Sequence, residues 1–297
     1  VTSRWFSKKR GRAMALSYMG FAFGGAVLTP LLALSIERFG WRISSFMVGL
    51  VIWTIAVPLA TRLYRTPESR GLRRDGEPLN RNGVLQGNVS TADASFSDMK
   101  VRDVLKTRTY WFLCASCGFR GTVFSAMGLH LVAIMAWKGL DEAAAGILVG
   151  AFAFVWMVSA LVLGWAGDRW PRTRIAAVPA FIASLSLTAL ILMDQIRIWQ
   201  MVLILTLWAT NEGTWSLNFA ILADQFGLRN FGTLRGGMLM VINLMSLGAP
   251  FYSGWVFDET QSYLWVLLPA TILLALAGLL NWFLPEVQRS ETPVKAP

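Results

Sequence analysis

Residues 143–167 read AAAGILVGAFAFVWMVSALVLGWAG, a run of 25 residues without a charged side chain. A helix rises about 1.5 Å per residue, so this run is long enough to cross a hydrocarbon core of about 30 Å. The run is continuously apolar rather than alternating, which argues against a strand of a membrane β-barrel. The sequence therefore predicts a membrane-spanning helix here.

The composition of the whole chain agrees with this segment. Of its 297 residues, 55% are hydrophobic and only 15% are charged, whereas soluble domains carry about 25% charged residues. The mean hydropathy is +0.51. These values argue against a soluble enzyme or a nucleic-acid-binding protein, despite a formal charge of +10. We expect a polytopic protein whose surroundings are the lipid bilayer, with no nucleic acid as partner.

Seven further segments reach the length of a membrane span, two of them with one interior charge. Together with 143–167 they predict an all-α bundle of eight transmembrane helices. The seven segments are Ala13–Ile36, Ile43–Thr61, Thr109–Trp137 with Arg120, Ile175–Met193, Ile198–Ala223 with Glu212, Gly236–Phe257 and Thr260–Pro285.

The basic residues divide unequally between the two sides of such a bundle. One side, which includes both chain ends, takes 22 of the 27 Lys and Arg residues, and the other takes four. Basic loops remain in the cytoplasm. The sequence therefore predicts an integral protein of the cell (plasma or inner) membrane with a cytoplasmic C-terminus.

A polar stretch separates the first two helices from the other six. Its Gly, Pro and Asn residues are typical of a linker, and its last part, residues 96–106, has the spacing of a short amphipathic helix at the membrane surface. We predict four parts: 1–64 with two helices, the cytoplasmic linker 65–108, a six-helix unit over 109–285, and a cytoplasmic tail over 286–297.

Several short motifs resemble one transporter family. They are Arg4-Trp-Phe, Arg10-Gly-Arg-Ala, Gly20-xxx-Gly24, Pro30, Gly40-Trp-Arg42, Gly164-Trp-Ala-Gly-Asp-Arg-Trp-Pro-Arg172, Phe226-Gly, Phe231-Gly-Thr-Leu-Arg-Gly236, Pro250, Gly254 and Asp258. This combination is similar to the major facilitator superfamily, and most to its monocarboxylate-porter and oxalate/formate-antiporter branches. The family has twelve helices in two halves, so the resemblance implies helices five to twelve. A first residue of Val rather than Met agrees with an N-terminally truncated chain.

Arg120 and Glu212 are the main candidate site residues, because charges inside a bilayer are costly and usually face a polar interior. The resemblance places them on the seventh and tenth helices, which line the family's central cavity. Arg120 would bind a substrate anion, since its planar fork suits a carboxylate. Glu212 would be a coupling site for a proton or cation, or a charge partner of Arg120. The alternative is a permanent ion pair that holds two helices together.

Further candidates surround these charges. Trp208 and Trp215 share a helical face with Glu212, and Asn211 and Asn218 lie alongside. They form either a substrate-binding wall or a packing surface. His130 is either a pH-sensitive coupling residue at the cavity mouth or an interfacial histidine.

The resemblance also implies a cytoplasmic gate at Asp168 and Arg169, which belong to the family's loop signature. Their alternative is an ordinary helix cap with a neighbouring arginine. The usual signature has Leu where Ala166 stands and Gly where Pro171 stands. The intramembrane Asp and Arg pair of animal monocarboxylate transporters is absent from 143–167.

The leading hypothesis is a secondary active transporter of a small, monocarboxylate-like organic anion, working by alternating access. Transport would be coupled to a proton or to a counter-transported anion, because the sequence has no ATP-binding P-loop. We expect no enzyme activity, no cofactor and no metal site, since no nucleophile–base pair or ligand cluster is found. The alternatives are a transporter of another small solute, such as a sugar, drug or other metabolite, a membrane-embedded enzyme, and a non-transporting receptor or scaffold.

Overall fold

The computed structural model describes residues 5–6, 10–62 and 99–286, and every regular element in this part of the chain is an α-helix. The helices are α1 (Arg10–Thr61), α2 (Val101–Val104), α3 (Arg108–Gly128), α4 (Leu131–Trp137), α5 (Glu142–Arg169), α6 (Arg172–Leu192), α7 (Ile198–Glu212), α8 (Trp215–Phe226), α9 (Phe231–Ser246), α10 (Ala249–Thr260) and α11 (Leu264–Trp282).

The first helix, α1, is interrupted at Gly40, so it contains two helical segments. Gly40 has φ 75° and ψ 162°, a conformation open to glycine because it has no Cβ. The hydroxyl oxygens of Ser35 and Ser44 lie 2.8 Å apart across the interruption. The predicted pair of helices, 13–36 and 43–61, corresponds to these two segments.

Two predicted spans are broken in the structure, and a third contains a local turn. The segment 109–137 becomes α3 and α4, which meet at an angle of 63°. The segment 198–223 is divided into α7 and α8 at Gly213 and Thr214, and the segment 236–257 into α9 and α10 at Leu247 and Gly248. The prediction of unbroken helices over 109–137 and 198–223 was wrong, because an apolar run does not reveal a break within the membrane. The segment 236–257 lies within a single span, Phe231–Thr260, despite its local turn.

Five helical spans in the described residues are long and apolar enough to cross a membrane, or six if the bent pair α3–α4 counts as one. They include Ala144–Arg169, which coincides with the quoted run. Of the eight predicted segments, two do not meet this test: the part of α1 before Gly40, and the divided pair α7–α8. The all-helical membrane bundle is confirmed, whereas the breaks change how its helices are counted.

The interior of the bundle is formed where α11 packs between α3 and α6 and α7 packs against α5 and α6. Polar contacts fix two of these crossings: Ser116 Oγ donates to Ala277 O at 3.0 Å, and Ser184 Oγ donates to Thr271 O at 2.8 Å. Many large apolar side chains remain exposed on the outer faces, for example Trp53 and Phe251. Such faces are expected of a protein whose solvent is lipid.

Only the end of the predicted linker is described. Within it, α2 covers four residues, Val104 is completely buried, and Asn230 Nδ2 donates to Met99 O at 2.9 Å. The end of the linker is therefore anchored to the turn between α8 and α9. The remainder of 65–108, up to residue 98, lies outside the described residues, as do residues 287–297 of the predicted tail.

Candidate functional site

Arg120 is completely buried near the middle of α3. Its Nη2 donates to the carbonyl oxygen of Asn211, and its guanidinium carbon lies 5.0 Å from the ring centroid of Trp215. The Nε and Nη1 atoms are buried and have no hydrogen-bond partner. Arg120 therefore holds a charge in the bundle interior with two donor atoms unused.

Glu212, the last residue of α7, is also completely buried. Its Oε1 accepts a hydrogen bond from Asn211 Nδ2 at 2.9 Å, and its Oε2 accepts one from Trp215 Nε1 at 2.7 Å. Among the ion pairs within 4.0 Å in the described chain, none joins Arg120 to Glu212. Asn211 and Trp215 instead connect the two charges indirectly.

The break between α7 and α8 creates this arrangement. A Cβ on Gly213 would lie 2.7 Å from Ser159 Cβ and 2.8 Å from Ala160 N, so glycine allows the chain to approach the backbone of α5 closely. Thr214 then bonds back through its Oγ1 to Asn211 O at 2.8 Å. The break thus gives the Asn211 carbonyl two side-chain donors, one of which is Arg120.

The structure places the other predicted wall residues differently. Trp208 does not contact Arg120; it packs against the rings of Phe152 and Phe124 with centroid distances of 4.8 Å and 6.5 Å. Asn218 donates weakly to Thr214 O at 3.5 Å, and its Oδ1 is buried without a partner. Asn211 and Trp215 therefore join Arg120 and Glu212 in one cluster, while Trp208 packs its ring in the apolar core and has its side chain beside Glu212.

His130 lies at the junction of α3 and α4, away from this cluster. Its Nε2 lies 3.2 Å from Pro250 O and its Nδ1 lies 3.1 Å from the Tyr263 hydroxyl. A carbonyl only accepts, so we assign a proton to Nε2, and in that tautomer Nδ1 accepts from the Tyr263 hydroxyl. Burial, with a smaller effect of Asp258, raises the pKa of Tyr263 above its ordinary value, which keeps this donor protonated.

The predicted gate residue Asp168 belongs to a charged network at one end of the bundle. Arg172 Nη2 contacts Asp168 Oδ1 at 3.1 Å, and Arg172 Nη1 forms an ion pair with Asp224 of α8. Arg172 Nε also donates to Gly167 O at 3.1 Å. We call this region, defined by Asp168, Arg172 and Asp224, the gate end.

The same carboxylate reaches α1. Arg12 N donates to Asp168 Oδ2 at 3.2 Å, and Arg12 Nε lies 3.7 Å from it. A carboxylate at a helix N-terminus is favoured by the free N–H groups and the helix dipole. Arg169, the other predicted gate residue, lies apart from these contacts: its guanidinium carbon stacks 4.0 Å from the Trp165 ring centroid.

Sequence reasoning missed two members of the gate end, Arg172 and Asp224, as functional residues, and it also missed their neighbour Arg12. Arg172 carried a usable signal, because it follows Asp168 by four residues, a spacing that pairs side chains on a helix. Asp224 carried none, since its contact joins distant parts of the chain. Arg12 stands in the quoted motif Arg10-Gly-Arg-Ala, but nothing in the sequence paired it with Asp168. As for metals, the described residues contain no group of three or more His, Cys, Asp or Glu side chains that could hold an ion.

Comparison with known proteins identifies the family. The profile of the Major Facilitator Superfamily matches residues 1–213, which is most of the chain. The chain belongs to the major facilitator superfamily. The motif-based resemblance is thereby confirmed, and the apolar helices of this superfamily member indicate an integral membrane protein.

The relatives of this superfamily member include transporters with small organic substrates. It is 26% identical to a gentisate transporter of Corynebacterium glutamicum over 258 residues, 86% of the chain and 55% of the relative. It is 21% identical to the MFS-type transporter YcxA of Bacillus subtilis, with 98% and 68% covered. It is 24% identical to human monocarboxylate transporter 11, with 88% and 53% covered. The chain thus spans about half to two thirds of the length of these relatives.

Proposed function

We propose that this protein is a secondary active transporter of a small organic carboxylate, working by alternating access. The observation that carries the proposal is Arg120: a fully buried guanidinium with Nε and Nη1 unused. A buried charge without complete hydrogen bonding is costly. A carboxylate that accepted bonds from these donors would offset that cost, because charge-assisted bonds to arginine are among the strong ones.

The indirect link between the two charges favours a binding role over a helix-clamping role. A structural ion pair would place Glu212 directly on the guanidinium, but the carboxylate is held by Asn211 and Trp215 instead. Arg120 therefore keeps donors for an outside anion. The relatives named for gentisate and monocarboxylate transport agree with an anionic substrate.

We assign coupling to Glu212. It lies in the same cluster as Arg120, and Asn211 contacts both residues. Arrival of a substrate anion would add a second negative charge near this carboxylate, which favours uptake of a proton by Glu212. His130 stays a second coupling candidate, although its contacts with Pro250 and Tyr263 suit a helix-joining role better.

We assign gating to Asp168, with Arg12 and Arg172 as its partners. These contacts join α1 to α5 and α6, so they close the bundle at the gate end. By the distribution of basic residues this end faces the cytoplasm of the cell membrane, together with the C-terminus. Opening would require the Asp168 contacts to break.

Uptake into proteoliposomes tests the proposal. Full-length protein is reconstituted and offered radiolabelled benzoate, lactate or oxalate, with glucose as a neutral solute. We expect uptake of at least one carboxylate and none of glucose. We expect the Arg120→Gln variant to lose this uptake by tenfold or more, since one charge-assisted hydrogen bond is worth about 1.5–3 kcal/mol.

The matched control is Arg108→Gln, on the same helix but with an exposed side chain. This variant is expected to transport at the wild-type rate. Carboxylate uptake that survives Arg120→Gln unchanged would contradict the proposal. Uptake of glucose alone would favour the neutral-solute alternative instead.

A further inference from the structure

A second arginine lies on the same helix surface as the Arg120 cluster. Arg235, in the second turn of α9, places its guanidinium carbon 4.4 Å from the ring centroid of Phe219 on α8. Its Nε is buried and has no hydrogen-bond partner. None of the ion pairs in the described residues includes it.

The two arginines each pack over an aromatic ring of the same helix, α8. Arg120 lies over Trp215 and Arg235 lies over Phe219. Residues four positions apart on a helix share a face, with Cβ atoms about 5–6 Å apart. The two rings that hold the arginines therefore lie about one turn apart on α8, and Arg120 has two buried unused donors while Arg235 has one.

Arg235 is the one nearer the gate end. Its neighbour Leu234 accepts a hydrogen bond from Tyr110 in the first turn of α3, at 3.0 Å. Phe219 also lies closer than Trp215 to Asp224, which pairs with Arg172 at the gate end. The direction from Arg120 to Arg235 is thus the direction from the middle of the bundle toward the gate.

We propose that Arg235 is a second anion-binding residue, which receives the carboxylate of the substrate after it leaves Arg120 and before it passes the gate end. This inference rests on the proposed function. A single deep cation would hold an anion tightly and release it slowly. A second cation between Arg120 and the gate end divides the exit path into shorter steps and lowers the barrier to release. The Phe219 ring holds this guanidinium in place without neutralising it.

The test separates binding from release. Wild-type protein, Arg235→Gln, Arg120→Gln and the exposed-arginine control Arg108→Gln are reconstituted with radiolabelled benzoate, lactate and oxalate as probes. Equilibrium binding is measured by tryptophan fluorescence, and turnover by uptake and by efflux. We expect Arg235→Gln to bind the transported probe like wild type but to turn over about tenfold more slowly, the effect of one lost charge-assisted bond.

Two further variants exclude a purely structural role. Arg235→Lys keeps the positive charge and is expected to recover most of the turnover. Phe219→Leu keeps the apolar contact but removes the ring surface, and is expected to slow turnover without weakening binding. An Arg235→Gln variant whose binding and thermal midpoint both fall together would show a structural residue and overturn the inference.

The outcomes also separate this inference from the proposed function. If Arg120→Gln abolishes uptake while Arg235→Gln transports at the wild-type rate, the relay is wrong and the transporter assignment stands. If the wild-type protein takes up none of the three probes, the proposed function fails and the inference fails with it.

Discussion

Gly213 is the position where one added methyl group should disturb the site most. It separates α7 from α8 and lies directly after Glu212. A Cβ there would meet Ser159 Cβ at 2.7 Å and Ala160 N at 2.8 Å. Two of the three nearest atoms belong to the backbone of α5, which cannot rotate away as a side chain would. We therefore expect Gly213→Ala to push the α7–α8 junction away from α5.

The cost follows from overpacking. Insertion of a methyl group into a well-packed interior costs about 1–3 kcal/mol, which corresponds to roughly a 5- to 150-fold change in the folding equilibrium. Gly213 has a negative φ, so its backbone conformation is open to alanine. The loss of stability in Gly213→Ala therefore measures only the clash of the added methyl group with α5. Uptake of carboxylate should fall as well, because Glu212 moves with the junction.

The assay is thermal unfolding in detergent, followed by tryptophan fluorescence. The control is Gly150→Ala on α5, where no atom lies within 4 Å of the added Cβ. Removal of a helical glycine should leave that variant unchanged or stabilise it by about 0.5–1 kcal/mol. Equal midpoints for Gly213→Ala and wild type would refute the close approach of the junction to α5.

Three further substitutions test single contacts. Trp215→Phe keeps a ring but removes the donor to Glu212 Oε2. The variant should lose about 1.5–3 kcal/mol in unfolding free energy, and the pH dependence of its uptake should shift. An unchanged pH profile would count against a coupling role of Glu212. Asp168→Asn weakens the contact with Arg172, so uptake should slow while carboxylate binding stays intact; wild-type turnover would argue against a gate. Tyr263→Phe removes the donor to the histidine that precedes α4 and should lower stability by about 1 kcal/mol without abolishing uptake; loss of all uptake would assign that histidine to transport.

The membrane spans could be predicted because apolarity is a property of each segment by itself. The run 143–167 needs no knowledge of its neighbours to be recognised as a span, and Ala144–Arg169 is one. The breaks could not be predicted in this way. Gly213 follows α7 at the point where the chain meets the backbone of α5. A glycine within an apolar run does not indicate that such a contact exists.

The candidate site also has a part that the sequence predicts and a part that depends on contacts between helices. Arg120 and Glu212 were singled out by the cost of burying charge, and the helical spacing pointed to Trp215 beside Glu212. The structure adds that Asn211 and Trp215 stand between the two charges. That geometry depends on how α3 meets the α7–α8 junction, so no pattern within a single helix could specify it.

The gate end was predictable only in part. The loop motif indicated Asp168, because that residue belongs to a short contiguous signature, residues 164–172. Its partner Arg12 is 156 residues away in sequence, and the ion pair between Arg172 and Asp224 joins two helices. Contacts of this kind arise from the packing of the bundle and leave no periodic signal.

Carboxylate uptake by the double variant Arg120→Gln/Glu212→Gln tests the central claim most directly. Replacing both residues removes both buried charges, so no single charge remains buried without a partner. The double variant should therefore be closer to wild type in stability than either single variant. If Arg120 binds the substrate, this folded variant takes up none of the carboxylates that the wild type transports. Uptake restored to the wild-type level would show that the two charges only hold helices together, and would contradict the account.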